Sequence, residues 1–259
     1  MRPRQEVIWQ RYNPNYFWDE YLPAHLVVDG KYDPDVHDSI YASKVHTIEP
    51  YKKFGPLLEV GSGGGLFLKA AERAGWPLVR GIEISEAAVK FSRENLGLDV
   101  TLGTIESTQF AQSTFGCVAL LDTIEHLLDP KRVLQTIHTL LSPGGALIIS
   151  TPNFNGMSRF FLDRSWAVLS PLEHLYYFTE QTLGQMLRQT GFVNIEHMRR
   201  LPMQTIYYSI NPHNCHDPDS LRAKIYRQLF ARFGSKILPW IKQIGIADEL
   251  YFIAEKPAV

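Results

Sequence analysis

Five short groups of residues in this chain could do chemistry. The first is Glu59-Val60-Gly61-Ser62-Gly63-Gly64-Gly65. An acid precedes glycines at alternate positions, Gly61, Gly63 and Gly65. Glycine belongs where a backbone turns sharply or lets a ligand come close. After the apolar Leu57-Leu58, such a loop points to a nucleoside-like ligand at a strand end. The spacing departs from the dinucleotide fingerprint G-x-G-x-x-G, since Leu66 stands where the third glycine belongs. A pyrophosphate prefers a neutral loop on a helix N-terminus. Glu59 suits a ligand that carries a positive group and hydroxyls.

The second group is Gly81-Ile82-Glu83-Ile84-Ser85. Glu83 lies 24 residues after Glu59, near the offset of about 20 at which an acid meets a ribose diol. A carboxylate can accept both O–H bonds of vicinal hydroxyls. The third group is Gly103-Thr104-Ile105-Glu106, the fourth Asp122-Thr123-Ile124-Glu125-His126, the fifth Glu173-His174-Leu175-Tyr176-Tyr177-Phe178-Thr179. Histidine titrates near neutral pH, so His126 and His174 are the candidate catalytic bases. The competing readings are a helix-start hydrogen bond for His126 and aromatic packing for His174. Asp122, Glu125 and His126 could also ligate a divalent metal, although no metal site is the favoured reading. His213, Cys215, His216 and Asp217 are spaced too tightly for a zinc knuckle and sit between Pro212 and Pro218.

Elements that alternate in type position these groups. Strands are expected at Leu57–Val60, Leu78–Ile84, Val100–Leu102, Val118–Asp122, Ala146–Ser150, Val193–Met198 and Leu250–Glu255. Helices are expected at Leu66–Ala74, Glu86–Leu96, Lys131–Leu141 and Thr182–Gln189, each followed by glycine or by Ser142-Pro143-Gly144-Gly145. Continuous apolar strands of this kind belong to parallel sheets covered on both faces. The alternation argues for an α/β, doubly wound, mostly parallel seven-stranded sheet. In such sheets ligands bind beyond the carboxyl ends of the strands, where the first four groups fall.

Together these motifs resemble the class I S-adenosylmethionine-dependent methyltransferases across roughly residues 55–200, with a Rossmann-like fold. The E-H pair of Glu125-His126 and the later H-L-Y-Y-F-T segment are most similar to the branch holding the ubiquinone-biosynthesis O-methyltransferases. The resemblance implies that Glu59, Gly61, Ser62, Gly63 and Gly65 line the methionine and ribose part of S-adenosylmethionine. It implies Glu83 on the ribose hydroxyls and Ile84 on the adenine. Thr104, Ile105 and Glu106 would flank the adenine, and Asp122, Thr123 and His126 would face the sulfonium and the acceptor. The implied activity is methylation of a small molecule (a sugar, lipid, quinone-like or natural-product acceptor), most readily at oxygen, releasing S-adenosylhomocysteine. The alternatives are a cofactor-binding module without turnover and an NAD-type oxidoreductase, which Leu66 argues against.

The rest of the chain sets bounds. A length of 259 residues, 45% hydrophobic, suits one large domain with appendages. A net charge of −1 gives no pull toward nucleic acid. Two cysteines imply no disulfide framework, with Cys117 a core thiol, and no apolar leader opens the chain, so a cytoplasmic monomer or homodimer is expected. Residues 1–55 are rich in aromatics and read as a cap over the site, with Tyr16, Trp18 and Tyr41 as candidate pocket residues. Residues 56–200 form the binding core, and 154–172 would roof the acceptor pocket with Phe154, Met157, Phe160, Phe161 and Trp166. Residues 201–249 form a helical insertion before the last strand at 250–259. Within it, apolar residues recur every four positions from Leu221, among Arg222, Lys224, Arg227, Arg232, Lys236 and Lys242. Gly234 and Pro239 are expected to divide it into two helical pieces. Such a basic amphipathic segment is either a lid packed on the core, the favoured reading, or an element that contacts an anionic membrane through 221–242.

Overall fold

The computed structural model describes residues 12–27, 29–170, 173–199 and 216–258. Its centre is one seven-stranded sheet: β1 (Leu57–Val60), β2 (Val79–Glu83), β3 (Val100–Leu102), β4 (Phe115–Leu121), β5 (Leu141–Pro152), β6 (Val193–His197) and β7 (Glu249–Glu255). The spatial order is β3-β2-β1-β4-β5-β7-β6. The first five strands pair in parallel, and β7 runs antiparallel between β5 and β6. This is the expected doubly wound, mostly parallel α/β sheet.

The helices lie on both faces: α1 (Pro34–Ile48), α2 (Leu66–Arg73), α3 (Glu86–Leu96), α4 (Pro130–Leu140), α5 (Met157–Leu162), α6 (Glu180–Gln189) and α7 (Leu221–Gln243). Alternate residues of a strand face opposite sides. Leu57, Cys117 and Ala119 therefore pack beneath Val45 of α1, Phe67 of α2 and Val89 of α3. Leu58, Val118 and Leu120 pack against Leu134 of α4 and Leu183 of α6. Both layers are apolar, which explains why β1 is buried along its whole length. Cys117 is buried and unbridged.

Local chemistry fixes the helix starts. Asp33 caps α1, accepting from Asp35 N–H and Val36 N–H, with Pro34 in the first turn. Ser85 caps α3, and Asp129 with Pro130 opens α4.

Two expectations are corrected. The strand expected at Ala146–Ser150 runs from Leu141 to Pro152 and takes in Ser142-Pro143-Gly144-Gly145, and its pairing with β4 slips between Phe115 and Cys117. At that slip Gly116 lies against the backbone, since a Cβ there would sit 2.6 Å from Gly55 N. Secondly, α7 is one helix of 23 residues with Pro239 inside it, not two pieces. Its bare Gly234 packs under the Phe230 ring, so tertiary packing carries the helix past both breakers. Among the described residues no helix is long and apolar enough to cross a membrane.

Candidate active site

The strand order reverses between β1 and β4, and a crevice at such a switch point is where doubly wound sheets bind ligands. The loop after β1 is built to fit there. Gly61, Gly63 and Gly65 have φ of +73°, +51° and +76°, in the left-handed region that L side chains rarely adopt. Gly61 also meets its neighbour across the crevice: a Cβ would lie 2.5 Å from Thr123 Oγ1. The N–H groups of Gly61 and Ser62 both donate to Ile82 O, at 2.8 and 3.1 Å, which ties the loop to β2.

Glu83 closes the same corner. Its Oε2 accepts from Gly63 N–H, and its Oε1 from Ile84 N–H and Ser85 N–H, each at 2.8 Å. Burial pushes its carboxyl up, and these three donors offset part of that rise. Glu59 is buried too, and burial first, then Glu83, raises its carboxyl well above the usual range; buried Lys44 opposes this. Glu59 Oε2 and Ser62 Oγ are buried with no hydrogen-bond partner. Unpartnered buried oxygens of this kind call for an explanation. A ligand with a positive group and a donor hydroxyl supplies one.

Beyond β4 the backbone is strained. Asp122 has a φ of +46°, rare for a residue with a Cβ. Its Oδ1 accepts from Ser150 Oγ at 3.0 Å, and its side chain stands exposed. Thr123 Oγ1 donates to Leu121 O at 2.8 Å. Glu125 is buried, accepts from Thr151 Oγ1 at 2.9 Å, and is raised well above the normal carboxyl range by burial and then by Asp122.

The two histidines meet with ring centroids 4.7 Å apart. His126 Nδ1 is 2.9 Å from Glu173 O, and His174 Nδ1 is 2.7 Å from Val168 O. Since a carbonyl can only accept, each Nδ1 carries the proton and each Nε2 is left as an acceptor. Burial, reinforced by His174, lowers His126 to about 3. His174 is lowered as well, first by its own burial. Ligand atoms of Glu125, His126 and His174 lie within 4.8 Å of one another and could hold a metal ion. The sequence grouping of Asp122, Glu125 and His126 is not the one the fold assembles, because Asp122 is tied to Ser150.

The family comparison now applies. A methyltransferase-domain family profile matches residues 36–197. The chain belongs to that family. Curated relatives of this methyltransferase include a ubiquinone biosynthesis O-methyltransferase of Ruegeria pomeroyi, 29% identical over 151 residues, which are 54% of this chain and 60% of that protein. One from Parvibaculum lavamentivorans is 33% identical over 101 residues, covering 38% and 40%. The matches therefore span about half the length of these relatives. Among solved structures, an S-adenosylmethionine-dependent methyltransferase of Thermotoga maritima, a possible histamine N-methyltransferase, aligns over 96% of this chain and 99% of its own. Its TM-score is 0.61 at 18% identity. A Haemonchus contortus phosphoethanolamine N-methyltransferase in complex with S-adenosylmethionine aligns over 83% of this chain and 52% of its own, with a TM-score of 0.56 at 19% identity. Fold and family together make the chain a member of the S-adenosylmethionine-dependent methyltransferases.

The structure thus joins Glu59, Gly61, Ser62, Gly63, Glu83 and Thr123 at one crevice, and sets His126 and His174 side by side. Gly65 stands apart, with a Cβ there meeting Leu98 and Ser92. Ile84 is half-buried. Thr104 begins a turn held by Ser107 Oγ on its N–H at 2.9 Å. Ile105 packs in the core with Val60 and Ile82, and Glu106 is exposed. Trp166 is fully buried, whereas Phe160 and Phe161 are exposed, the Phe161 ring stacked on Tyr226 at 5.2 Å. Tyr41 packs on Phe67, and Trp18 is half exposed. His213 and Cys215 lie outside the described residues, and His216 is exposed.

Sequence reasoning missed Tyr21, Tyr12 and Lys44. Tyr21 Oη accepts from Gly64 N–H at 3.2 Å, and a Cβ on Gly63 would collide with that hydroxyl. Tyr21 stacks between Phe17 and His25, with centroids 5.5 and 4.1 Å away. Tyr12 meets the His126 ring at 6.2 Å. The aromatic crowding signalled a cap, but nothing in spacing alone says which ring lands on the loop.

Proposed function

We propose that this methyltransferase moves a methyl group from S-adenosylmethionine to a small-molecule acceptor, at an oxygen. The observation that carries the reading is the pair of buried carboxylates, Glu59 and Glu83, flanking left-handed glycines at the β1–β4 switch point. The bound cofactor supplies an electrophilic methyl on a sulfonium, whose positive charge disperses as the methyl leaves. Glu83 has acceptor capacity left for one ribose hydroxyl after its three backbone bonds. Glu59 Oε2 and Ser62 Oγ offer unused hydrogen-bonding capacity beside it. The glycines keep the backbone bare, so a ligand can approach without meeting a Cβ.

Alignment is the main contribution a protein makes to such a displacement. An oxygen acceptor must also lose its proton. His126 is placed to take it at Nε2, because Glu173 O holds its Nδ1–H and fixes the tautomer. His174, held the same way by Val168 O, faces it and can receive or relay the proton. The named relatives methylate oxygen in ubiquinone biosynthesis, which supports a phenol-like acceptor.

Calorimetry with S-adenosylmethionine, S-adenosylhomocysteine and NAD tests the donor. Binding of the first two and not of NAD is the expected result; the reverse refutes the reading. Formation of S-adenosylhomocysteine with catechol-type and amine acceptors tests the atom. Turnover only with amines, unaffected by His126→Asn, refutes oxygen methylation.

A further inference from the structure

Helix α7 has one face packed and another bare. Ala223, Tyr226, Phe230 and Ile241 are buried with Leu162, Trp166 and Val168. The attachment is polar as well as apolar. Tyr226 Oη pairs with Ser158 Oγ at 2.7 Å, and Ser158 N–H donates to the buried Asp248 at 2.8 Å. The helix is thus fastened to α5 and to the residue that precedes β7, with its lid-like contacts already satisfied.

Yet Leu221, Ile225, Leu229, Phe233, Trp240 and Ile244 are exposed, Leu221 by 75% and Trp240 by 71%. At about 100° per residue the first five, with Ile244 just past the last turn, fall within one sector of about 140° that meets the packed face at Tyr226. An exposed apolar face of this extent, with basic side chains set among it, marks a docking surface. No Asp or Glu occurs from 221 to 247. On the same helical count Arg232 and Lys236 fall inside the apolar sector, and among the described residues no carboxylate pairs with either. Arg222 and Lys224 lie at the helix start, beside Asp163 and Asp219 at 3.4 and 3.1 Å. A second copy seated on this face would oppose two basic surfaces. An anionic bilayer complements both the charge and the apolar stripe.

We propose that α7 lies flat on an anionic lipid surface. Its Leu, Ile, Phe and Trp side chains enter the boundary between headgroups and acyl chains, while Arg232 and Lys236 reach the lipid phosphates along their own aliphatic stems. The packed side of α7 rests on Trp166 and Val168, and Val168 O is the acceptor that holds His174. Docking therefore brings the histidine side of the crevice to the bilayer. Taken with the proposed function, which this clause alone relies on, that favours a lipid-soluble acceptor.

Flotation of the full chain with vesicles tests the proposal. It floats with vesicles of equal parts phosphatidylcholine and phosphatidylglycerol at about 0.1 M salt, stays behind with phosphatidylcholine alone, and is released at about 0.5 M salt. Each basic side chain near the surface is worth about fivefold in binding, so Arg232→Ala with Lys236→Ala lowers it about 25-fold. Ile225→Ser with Leu229→Ser lowers it with the charges intact. Both pairs are exposed, and unchanged circular dichroism and S-adenosylhomocysteine affinity confirm the fold. Brominated lipids quench tryptophan emission in the parent chain and not in Trp240→Phe. No flotation with the anionic vesicles overturns the proposal, as does flotation that survives both pairs. Concentration-dependent dimerisation that Leu229→Ser abolishes also overturns it and assigns the face to a second copy.

Discussion

Replacing Glu83 by glutamine separates the two jobs this side chain does. The carboxylate receives three backbone N–H groups on two oxygens, two on Oε1 and one on Oε2. Glutamine offers one oxygen and one NH2. Its better rotamer keeps the bonds to Ile84 and Ser85 and turns the NH2 toward Gly63 N–H, so that donor faces donor. The site is nearly closed to solvent, with Glu83 only 7% exposed, and water cannot repair the loss. A bond to a charged acceptor is worth about 1.5–3 kcal/mol, but the neutral amide also escapes the burial penalty that raises the Glu83 carboxyl, so folding weakens by at most about 2 kcal/mol. For a chain of this size that lowers the melting midpoint by up to about 4–8 °C. The glutamine also lacks the oxygen that would accept from a ribose hydroxyl, a further loss of about 1.5–3 kcal/mol, or roughly 10- to 100-fold in S-adenosylhomocysteine affinity. Scanning calorimetry of the free protein and isothermal titration with S-adenosylhomocysteine read the two effects independently. A melting midpoint within about 1 °C of the parent, with affinity within about twofold, would refute the reasoning. Lost stability with unchanged affinity would leave Glu83 as a brace for the loop and remove it from the ligand.

Other changes probe other corners of the crevice. Gly61→Ala must hold a left-handed φ and displace Thr123, so it loses at least about 1–2 kcal/mol in denaturant unfolding; an unchanged midpoint argues against the close approach. His126, lowered to about 3 in the fold, stays neutral while the unfolded chain takes up a proton below about 6.5. Its contribution is complete above that pH and declines as pH falls toward 3, so His126→Asn, which can still donate to Glu173 O, flattens the fall in melting midpoint between pH 6.5 and 5. An equally steep fall in the variant places the acid sensitivity elsewhere. Tyr21→Ala uncovers Gly63 and Gly64, and S-adenosylhomocysteine then associates faster in stopped-flow fluorescence; an unaltered association rate shows that the ring does not gate the loop.

Much of the frame was legible because its signals are local. Leu57–Val60 and Glu86–Leu96 have the expected bounds, since an apolar run with a glycine after it, or Ser85 before a helix and Gly97 after it, are short-range instructions. The acids Glu59 and Glu83 were legible because a fixed βαβ spacing carries them to adjacent strand ends. What could not be read depends on long-range contact. Tyr21 reaches the glycine loop from 43 positions upstream. His174 meets His126 only because the segment after β5 returns across the strand ends, where Leu175 N–H donates to Glu125 O at 2.8 Å. Pro239 and Gly234 read locally as helix breakers, and the packing of Tyr226, Phe230 and Ile241 overrides them.

Burial shifts the two halves of the crevice in opposite directions on the pH scale, and in both it favours the neutral form. On the glycine side it raises Glu59 and Glu83, favouring their neutral forms in the free protein, and a bound cation would draw them back toward carboxylates. On the histidine side the same exclusion of water lowers His126 and His174, keeping both rings neutral and able to accept. Were the crevice open, the acids would be hydrated and indifferent to a sulfonium. The imidazoles would then titrate near neutral pH, where a general base works best; in the buried crevice a bound acceptor has to raise His126 again for it to take a proton. Aromatic residues from 12 to 25 touch both halves, Tyr12 at the His126 ring and Tyr21 at Gly64 N–H. One segment thus reaches both the glycine side and the histidine side, so a change in its packing is felt by the acids and the imidazoles together.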